Sequence, residues 1–380
     1  MDATDYRARL DELDEELVAL FTRRMDIAAE IAAYKKEKGL PVLDLRRERE
    51  KLLAVTEESP ERIRDYTPQL YSLLMQLSRS YQHRLIGTDT ALTERIRDAI
   101  ENTPRLFPGR VSVACQGVEG ANSQIACDRL FSGANILFFS DFGSVFTAIE
   151  KGLCSYGVLP LENSTAGSVN SVYDLMDRHE FSIVRSVRLK VDHNLLAKPG
   201  TRLEDVREIY SHEQAISQCS EFLRSLKNVK IIPCENTAAA AKKAAESKEG
   251  GIAALSSRLC MKYYNLGCLR ESVQDKDNNY TRFICISRKL EIYPGADRTS
   301  LMVTLPNESG SLYRLLSRFN ALGVNLLKLE SRPIPEREFE FMFYFDLDTP
   351  VYDPAFLQLM GELPEACESF RYLGSYREVL

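Results

Sequence analysis

Apolar residues recur at spacings of three and four from residue 5 to residue 38, through Leu10, Leu13, Leu17, Leu20, Phe21, Ile27, Ile31 and Tyr34. That period predicts one long amphipathic helix, which Gly39 and Pro41 end. At about 1.5 Å per residue it would run roughly 50 Å, too long for a lone helix to bury in a small domain. A second helix is expected from near Asp44 and a third from about Thr67 to Ile86. Three helices with one this long imply an intertwined dimer, because a single copy cannot cover its own apolar stripe. Residues 92–108, which close with Pro104 and Pro108, read as a connector.

From Arg110 the period shortens. Strand-like runs at Val111–Cys115, Ile136–Phe139, Tyr156–Leu161, Ile209–Ser211, Val229–Pro233, Gly251–Leu255 and Arg282–Ile286 alternate with helices. This predicts an α/β architecture with ligand at the carboxyl ends of the strands, long enough for two lobes around a cleft. After a turn at Pro294-Gly295 the expected order is strand (Leu301–Leu305), helix (Ser311–Leu322), strand (Val324–Ser331), strand (Phe339–Asp348), helix (Ala355–Leu363), strand (Phe370–Tyr376). That βαββαβ order is the α+β ferredoxin-like unit. The domains are therefore expected at 1–91, 109–287 and 299–376, with 92–108 as linker.

A chain of 380 residues suits two or three domains, and 44% hydrophobic with 27% charged residues is ordinary for globular proteins. The net charge of −6 argues against a nucleic-acid binder. The first sixteen residues are charged throughout and lack an apolar signal core, and no run approaches a membrane span. A cytoplasmic protein without a membrane partner is expected. The nine cysteines form no Cys-x-x-Cys pair and the four histidines show no ligand spacing, so no metal is expected. The cysteines read as small buried residues.

Candidate chemistry begins on the first helix. At 100° per residue, Arg24 and Lys35 lie about 20° apart, whereas Arg7 lies about 100° from that face and suits a different pocket, such as a partner chain's. Ser78 and Gln82 share a face of the third helix. Alone, such residues read as solvated charges, with Asp44 as an N-cap. Yet Arg7, Arg24, Lys35, Asp44, Arg47, Glu48, Ser78 and Gln82 together make residues 5–86 similar, position by position, to the all-helical chorismate mutase family. The resemblance implies a pericyclic rearrangement of chorismate to prephenate that needs no metal or organic cofactor. Arg24 and a partner's Arg7 would clamp the carboxylates, and Lys35 and Gln82 would donate to the ether oxygen. Glu48 would accept from the ring hydroxyl, with Arg47, Asp44 and Ser78 completing the lining.

In the central segment the carrying pieces are Gln116 to Ser123, Glu162 to Thr165 with Gly167-Ser168-Val169, Ser211-His212 with Gln214 and Gln218, and Asn278 to Phe283. Each has a plain reading: Gly117 and Gly120 as a tight turn, Ser211 as a cap for a helix near Gln214, Thr165 as a cap for a helix opened by Gly167. Together they make residues 110–286 resemble prephenate dehydratase, a two-lobed α/β domain similar to periplasmic binding proteins. The first piece departs from the commoner Gly-Pro-x-Gly-Thr-Tyr-Ser form, with Asn122 where an aromatic is usual. The resemblance implies Thr281 as proton relay to the leaving hydroxyl, with Asn163, Ser164, Thr165, Ser211 and Gln218 holding substrate. Arg282 would be a structural or carboxylate-binding cation, and Glu162 either an acid or a cation's partner.

Gly310-Ser311-Leu312-Tyr313 and Glu330-Ser331-Arg332-Pro333 make residues 299–376 resemble an ACT regulatory domain. Gly310 also reads as a simple helix N-cap. The resemblance implies feedback inhibition by L-phenylalanine bound near Glu308, Gly310, Ser311, Leu312, Glu330, Ser331 and Arg332, in a homodimer or higher homo-oligomer. Two other readings remain: a non-catalytic solute sensor built on the cleft, and an arogenate dehydratase that shares the same motifs.

Overall fold

The computed structural model describes residues 3–87, 89–334 and 340–380. They form two compact units: Met1–Asp98 with Leu301–Arg371, and Ala99–Ser300 with Tyr372–Leu380.

The first unit opens with helices α1 (Ala3–Lys38), α2 (Leu45–Glu58) and α3 (Thr67–Ile86). Gly39 ends α1 with φ of +63°, the left-handed value that glycine supplies without Cβ strain. Both α1 and α2 pack on α3. On α1 the buried positions are the small residues Ala28 and Ala32, whereas Leu10, Leu13, Leu17, Leu20, Ile27 and Tyr34 are all more than half exposed. The expected connector is helical instead, as α4 (Ala91–Asn102). Thr90 and Thr93 cap one another reciprocally there, and Ile96 and Ala99 are buried at helical spacing.

The second unit holds two sheets. Its first run is β1 (Ser112–Gln116), α5 (Asn122–Leu130), β2 (Asn135–Phe139), α6 (Phe142–Glu150), β3 (Tyr156–Asn163), β4 (Gly167–Ser168), α7 (Asn170–Arg178) and β5 (Ser182–Lys190). Then follow β6 (Asn194–Ala197), β7 (Glu208–Ser211), α8 (Glu213–Gln218), α9 (Ser220–Ser225), β8 (Lys230–Pro233), α10 (Thr237–Glu246), β9 (Ile252–Ser256), α11 (Leu259–Tyr264), β10 (Gly267–Arg270) and β11 (Tyr280–Ser287). Strand β11 returns to the first sheet between β5 and β3, while β10-β6-β9-β7-β8 make the second. The chain thus crosses between sheets twice, at 191–193 and 271–279. Gly167 joins the two-residue strand β4 rather than opening a helix, and α7 starts three residues later. Phe107, Phe131, Tyr156 and Tyr293 form an aromatic cluster, with the Arg185 guanidinium 3.9 Å from the Phe107 ring centroid.

The last elements are β12 (Arg298–Thr304), α12 (Ser311–Ala321), β13 (Asn325–Pro333), β14 (Phe341–Asp348), α13 (Pro354–Glu362), β15 (Ser369–Tyr376) and β16 (Glu378–Val379). The expected start of a strand at Phe339 lies outside the described residues. Four of these strands form a sheet in the order β13-β14-β12-β15, which leaves β13 at an edge. The chain does not end there, because β16 pairs in parallel with β5 of the second unit. Gly374 makes that return possible: at φ +137° a Cβ would sit 2.2 Å from the Ile183 carbonyl oxygen.

Candidate active sites

In the helical segment, the Arg24 guanidinium donates to the Leu74 carbonyl at 3.0 Å and to the Ser78 hydroxyl. Burial lowers the Arg24 pKa from its ordinary value. Lys35 Nζ donates to the Val42 carbonyl at 2.5 Å. Asp44 caps α2 by accepting from Arg47 N–H at 3.0 Å. Glu48 is paired with Arg79, a residue the sequence reading passed over although it adjoins Ser78. Ser78 and Gln82 are buried, and Gln82 Oε1 has no hydrogen-bond partner, which costs about 1–3 kcal/mol while unmet. Arg47 instead lies in solvent, 3.7 Å from Glu50. Arg7 is exposed too, about 25 Å up α1 from Arg24 at 1.5 Å per residue.

In the α/β unit, Asn163 ends β3 opposite Thr281 of β11. Its Nδ2 donates to Thr281 Oγ1 and to Asn279 Oδ1, both at 2.8 Å. Its Oδ1 accepts from Thr165 N–H, Thr165 Oγ1 and Ala166 N–H, at 2.7–3.0 Å. Such a turn, built on an asparagine side chain, is what the Asn-Ser-Thr run encodes. Asn279 Nδ2 donates to Gln218 Oε1 at 3.0 Å, and Gln218 Nε2 donates to Thr165 Oγ1 at 2.7 Å. His193 Nε2 lies 2.9 Å from the same Gln218 oxygen, so it carries the proton and donates. Burial lowers the His193 pKa below 6.5, more than its bond to Gln218 raises it.

Because Thr281 Oγ1 accepts from Asn163, its own O–H remains available to a ligand. It borders a cavity of about 430 Å³ shared by both sheets, which Asn163, Gln218, His193, His212 and Phe283 also line. Thr281 and Phe283, two residues apart on β11, share a face of the strand and border the same cavity. Neither lysine nor arginine lines it among the described residues; the N-terminal ends of α5 (Asn122, Ser123) and α10 (Asn236, Thr237) do. Gly120, with φ of +85°, brings the loop before α5 against Cys260, where a Cβ would sit 2.7 Å from Sγ.

Other expected substrate contacts fall elsewhere. Arg282 is buried and pairs with Glu162 at 2.9 Å, lining a different cavity of about 460 Å³ with Arg188 and Ser164. Strand alternation is the reason: neighbours of Thr281 on β11 take the opposite face. Glu162 is thus the cation's partner. Ser164 Oγ closes the turn on the Asn278 carbonyl at 2.5 Å. Ser211 is fully buried and donates to the Leu255 carbonyl at 2.9 Å, so His212, not Ser211, caps α8. Thr165 borders a smaller cavity behind Gln218. The sequence reading also missed His193, whose signal was its place just before a strand in a polar Asp192-His193-Asn194 run.

Glu308, Ser311 and Leu312 line a cavity of about 130 Å³ with Phe341 and Phe343. Gly310, at φ +82°, is the N-cap of α12. Glu330, Ser331 and Arg332 lie on the edge strand β13, with Glu330 3.8 Å from Lys328. Among the described residues no group of three or more histidine, cysteine or carboxylate side chains is placed to hold a metal ion, and no helix is long and apolar enough to cross a membrane.

The sequence matches the chorismate mutase type II family over residues 6–83 and the prephenate dehydratase family over residues 113–291. It is 30% identical to the bifunctional chorismate mutase/prephenate dehydratase of Escherichia coli (strain K12), over 97% of this chain and 95% of that protein. An Arabidopsis thaliana protein named arogenate dehydratase/prephenate dehydratase 2, chloroplastic, is 36% identical over 78% of this chain and 81% of its own length. The solved prephenate dehydratase of Arthrobacter aurescens in complex with L-Phe is 28% identical with a TM-score of 0.65, covering 70% of this chain and 90% of that one. Helical segment and α/β cleft together define a two-part enzyme with an isomerase and a lyase activity. The chain belongs to the bifunctional chorismate mutase/prephenate dehydratase family.

Thr281→Val keeps the side-chain shape and removes the hydroxyl. Dehydratase kcat should fall on the order of 10²–10³-fold while mutase turnover is unchanged, measured on the two substrates separately. His193 makes a separate, thermodynamic prediction. Its folded pKa is depressed, so stability is full above 6.5 and is lost as pH falls through the folded value. Thermal unfolding of the His193→Gln protein between pH 8 and 5 should lack that component of the acid-side decline.

Proposed function

We propose that one chain rearranges chorismate to prephenate, and then removes carbon dioxide and hydroxide from prephenate to give phenylpyruvate, in phenylalanine biosynthesis. The observation that carries this reading is the Thr281 hydroxyl, which accepts from Asn163 and so keeps its own proton for a ligand in the cavity that it borders. Prephenate becomes aromatic on losing CO₂, so the enzyme's task is to help the hydroxyl depart as water. Thr281 donates to that hydroxyl, and the network through Asn163 fixes the donor. With no lysine or arginine on the wall among the described residues, the substrate carboxylates are held by backbone N–H groups at the starts of α5 and α10. Arg282 and Glu162 support the strand from its far face, and the acid role falls away from Glu162.

The mutase step needs no nucleophile, only a held conformer and stabilised charge on the ether oxygen. Arg24, Lys35, Glu48, Ser78 and Gln82 supply one half of that setting. The exposed leucines of α1 and the distant, solvent-facing Arg7 support a homodimer in which Arg7 completes the partner's pocket. The segment from β12 to β15 has the strand order of a ferredoxin-like ACT domain. There the start of α12 takes the carboxylate of L-phenylalanine, Glu308 its ammonium, and Phe341 and Phe343 its ring. Glu330, Ser331 and Arg332 on the open edge β13 meet a second subunit. A second reading, dehydration of arogenate, is favoured by Glu235, a carboxylate on the Thr281 cavity wall that suits an ammonium group.

EDTA-treated protein should convert chorismate to phenylpyruvate; accumulation of prephenate alone would overturn the two-step reading. Mixing Arg7→Ala chains with Lys35→Ala chains should restore part of the mutase activity, since a heterodimer keeps one complete pocket. The regulatory reading is tested by Ser311→Glu, which sets a negative charge where the effector carboxylate belongs. It should abolish inhibition by L-phenylalanine and leave basal dehydratase turnover intact. Truncation would be a poorer test, because β16 belongs to the dehydratase sheet.

A further inference from the structure

We propose that Arg79 is a positioning residue of the mutase site, which fixes the Glu48 carboxylate where α3 borders the βαββαβ segment. The proposal rests on the reading of Glu48 as acceptor for the substrate's ring hydroxyl. Arg79 follows Ser78 on α3 and precedes Gln82 by three positions, so it belongs to the same stretch of helix as both. Its Nη1 pairs with Glu48 Oε1 across the α2–α3 contact, with side-chain exposures of 13% and 24%. Engaging one carboxylate oxygen leaves Oε2 for a ligand. Arg79 Nε is buried and has no hydrogen-bond partner, so this guanidinium is not saturated by the contacts of α3.

Without that cation, Glu48 would be a carboxylate on a half-exposed helix face with several open rotamers. An acceptor acts on a held conformer only if it is itself held. The neighbours of Arg79 on α3 bond to the C-terminal segment, which belongs to the same compact unit. Gln358 Nε2 donates to the Ser80 carbonyl at 3.0 Å and to Ser80 Oγ at 3.1 Å. His83 Nε2 lies 3.3 Å from Glu365 Oε2. Arg318 Nη1 donates to the Glu362 carbonyl at 2.9 Å. Burial lowers the Arg318 pKa first, and the nearby Arg79 charge lowers it further. His83 above all holds the Glu365 carboxyl below its usual range, and Arg318 and Arg79 add to that. Glu48, Arg79, Arg318 and Glu365 line one cavity of about 380 Å³. Arg79 thus stands between a carboxylate of the mutase site and a carboxylate of the C-terminal segment, with Arg318 beside it.

The test is a double-mutant cycle in the full-length protein with Arg79→Met, Glu48→Gln and the pair. Arg79→Met should lower mutase kcat roughly tenfold, shift KM less than about twofold and leave dehydratase turnover unchanged. Arg79→Lys, which keeps a cation, should recover most of that loss. In the Glu48→Gln background Arg79→Met should add almost nothing, because the carboxylate it positions has gone. If the two losses multiply instead, or if KM alone rises, Arg79 does not act through Glu48 and the proposal falls. Should Arg79→Met fail to fold by circular dichroism, the same cycle with Arg79→Lys decides, since partial loss there must also vanish beside Glu48→Gln. Full mutase activity in Glu48→Gln alone would mark a different failure, that of Glu48's assigned role, and would take the positioning proposal with it.

Discussion

One buried asparagine side chain holds together the wall of the cavity that Thr281 borders. Asn163 spends both amide protons, on Thr281 and Asn279, and its oxygen collects three donors from the turn that follows β3. Each bond contributes about 0.5–1.5 kcal/mol net, but losing one leaves a buried partner unmet at about 1–3 kcal/mol. The set therefore tolerates one arrangement only. Through Asn279 and Gln218 it reaches His193, so it ties together both segments where the chain crosses between sheets.

The opposite face of the same strands carries the charge. Glu162, Arg282 and Arg188 lie in one row across β3, β11 and β5. Arg188 in turn meets Glu378 of β16 at 2.7 Å, and Arg298 meets Glu378 at 3.0 Å. Burying such pairs is worth little in net stability, since desolvation offsets most of the attraction. Their effect is to fix register, and strand alternation keeps them off the cavity wall. Among the described residues no lysine or arginine lines the cavity, while its supporting strand is anchored by such side chains.

In the helical segment the balance is reversed. Arg24, Lys35 and Glu48 are arranged by contacts among α1, α2 and α3, while the apolar residues of α1 are left uncovered. At about 25 cal/mol per Å² of apolar surface, a row of half-exposed leucines is a strong drive to associate. Glu48 and Arg79 line one cavity with Arg318 and Glu365, so that cavity is bordered by two parts of the chain far apart in sequence.

Much of this was legible in the sequence because it is written in short-range patterns. The spacing of Leu10, Leu13 and Leu17 specifies a helix, Gly39 and Asp44 its punctuation, and the alternation after Arg110 an α/β fold. The run Asn163-Ser164-Thr165 marks a turn with its own hydrogen bonds. What sequence could not assign was which face each side chain takes and what it meets there. Arg282 sits next to Thr281 in the chain, yet β-strand geometry sends it to the other cavity. Ser211 and His212 exchange roles because Ser211 faces the core and finds the Leu255 carbonyl. The connector became α4, because its burial depends on neighbours that no local window contains. Arg79 and His193 acquire meaning only from partners in distant segments, Glu48 and Gln218. Local periodicity needs only the chain's own geometry, whereas pairing across it is decided by packing, and packing exists only in the folded molecule.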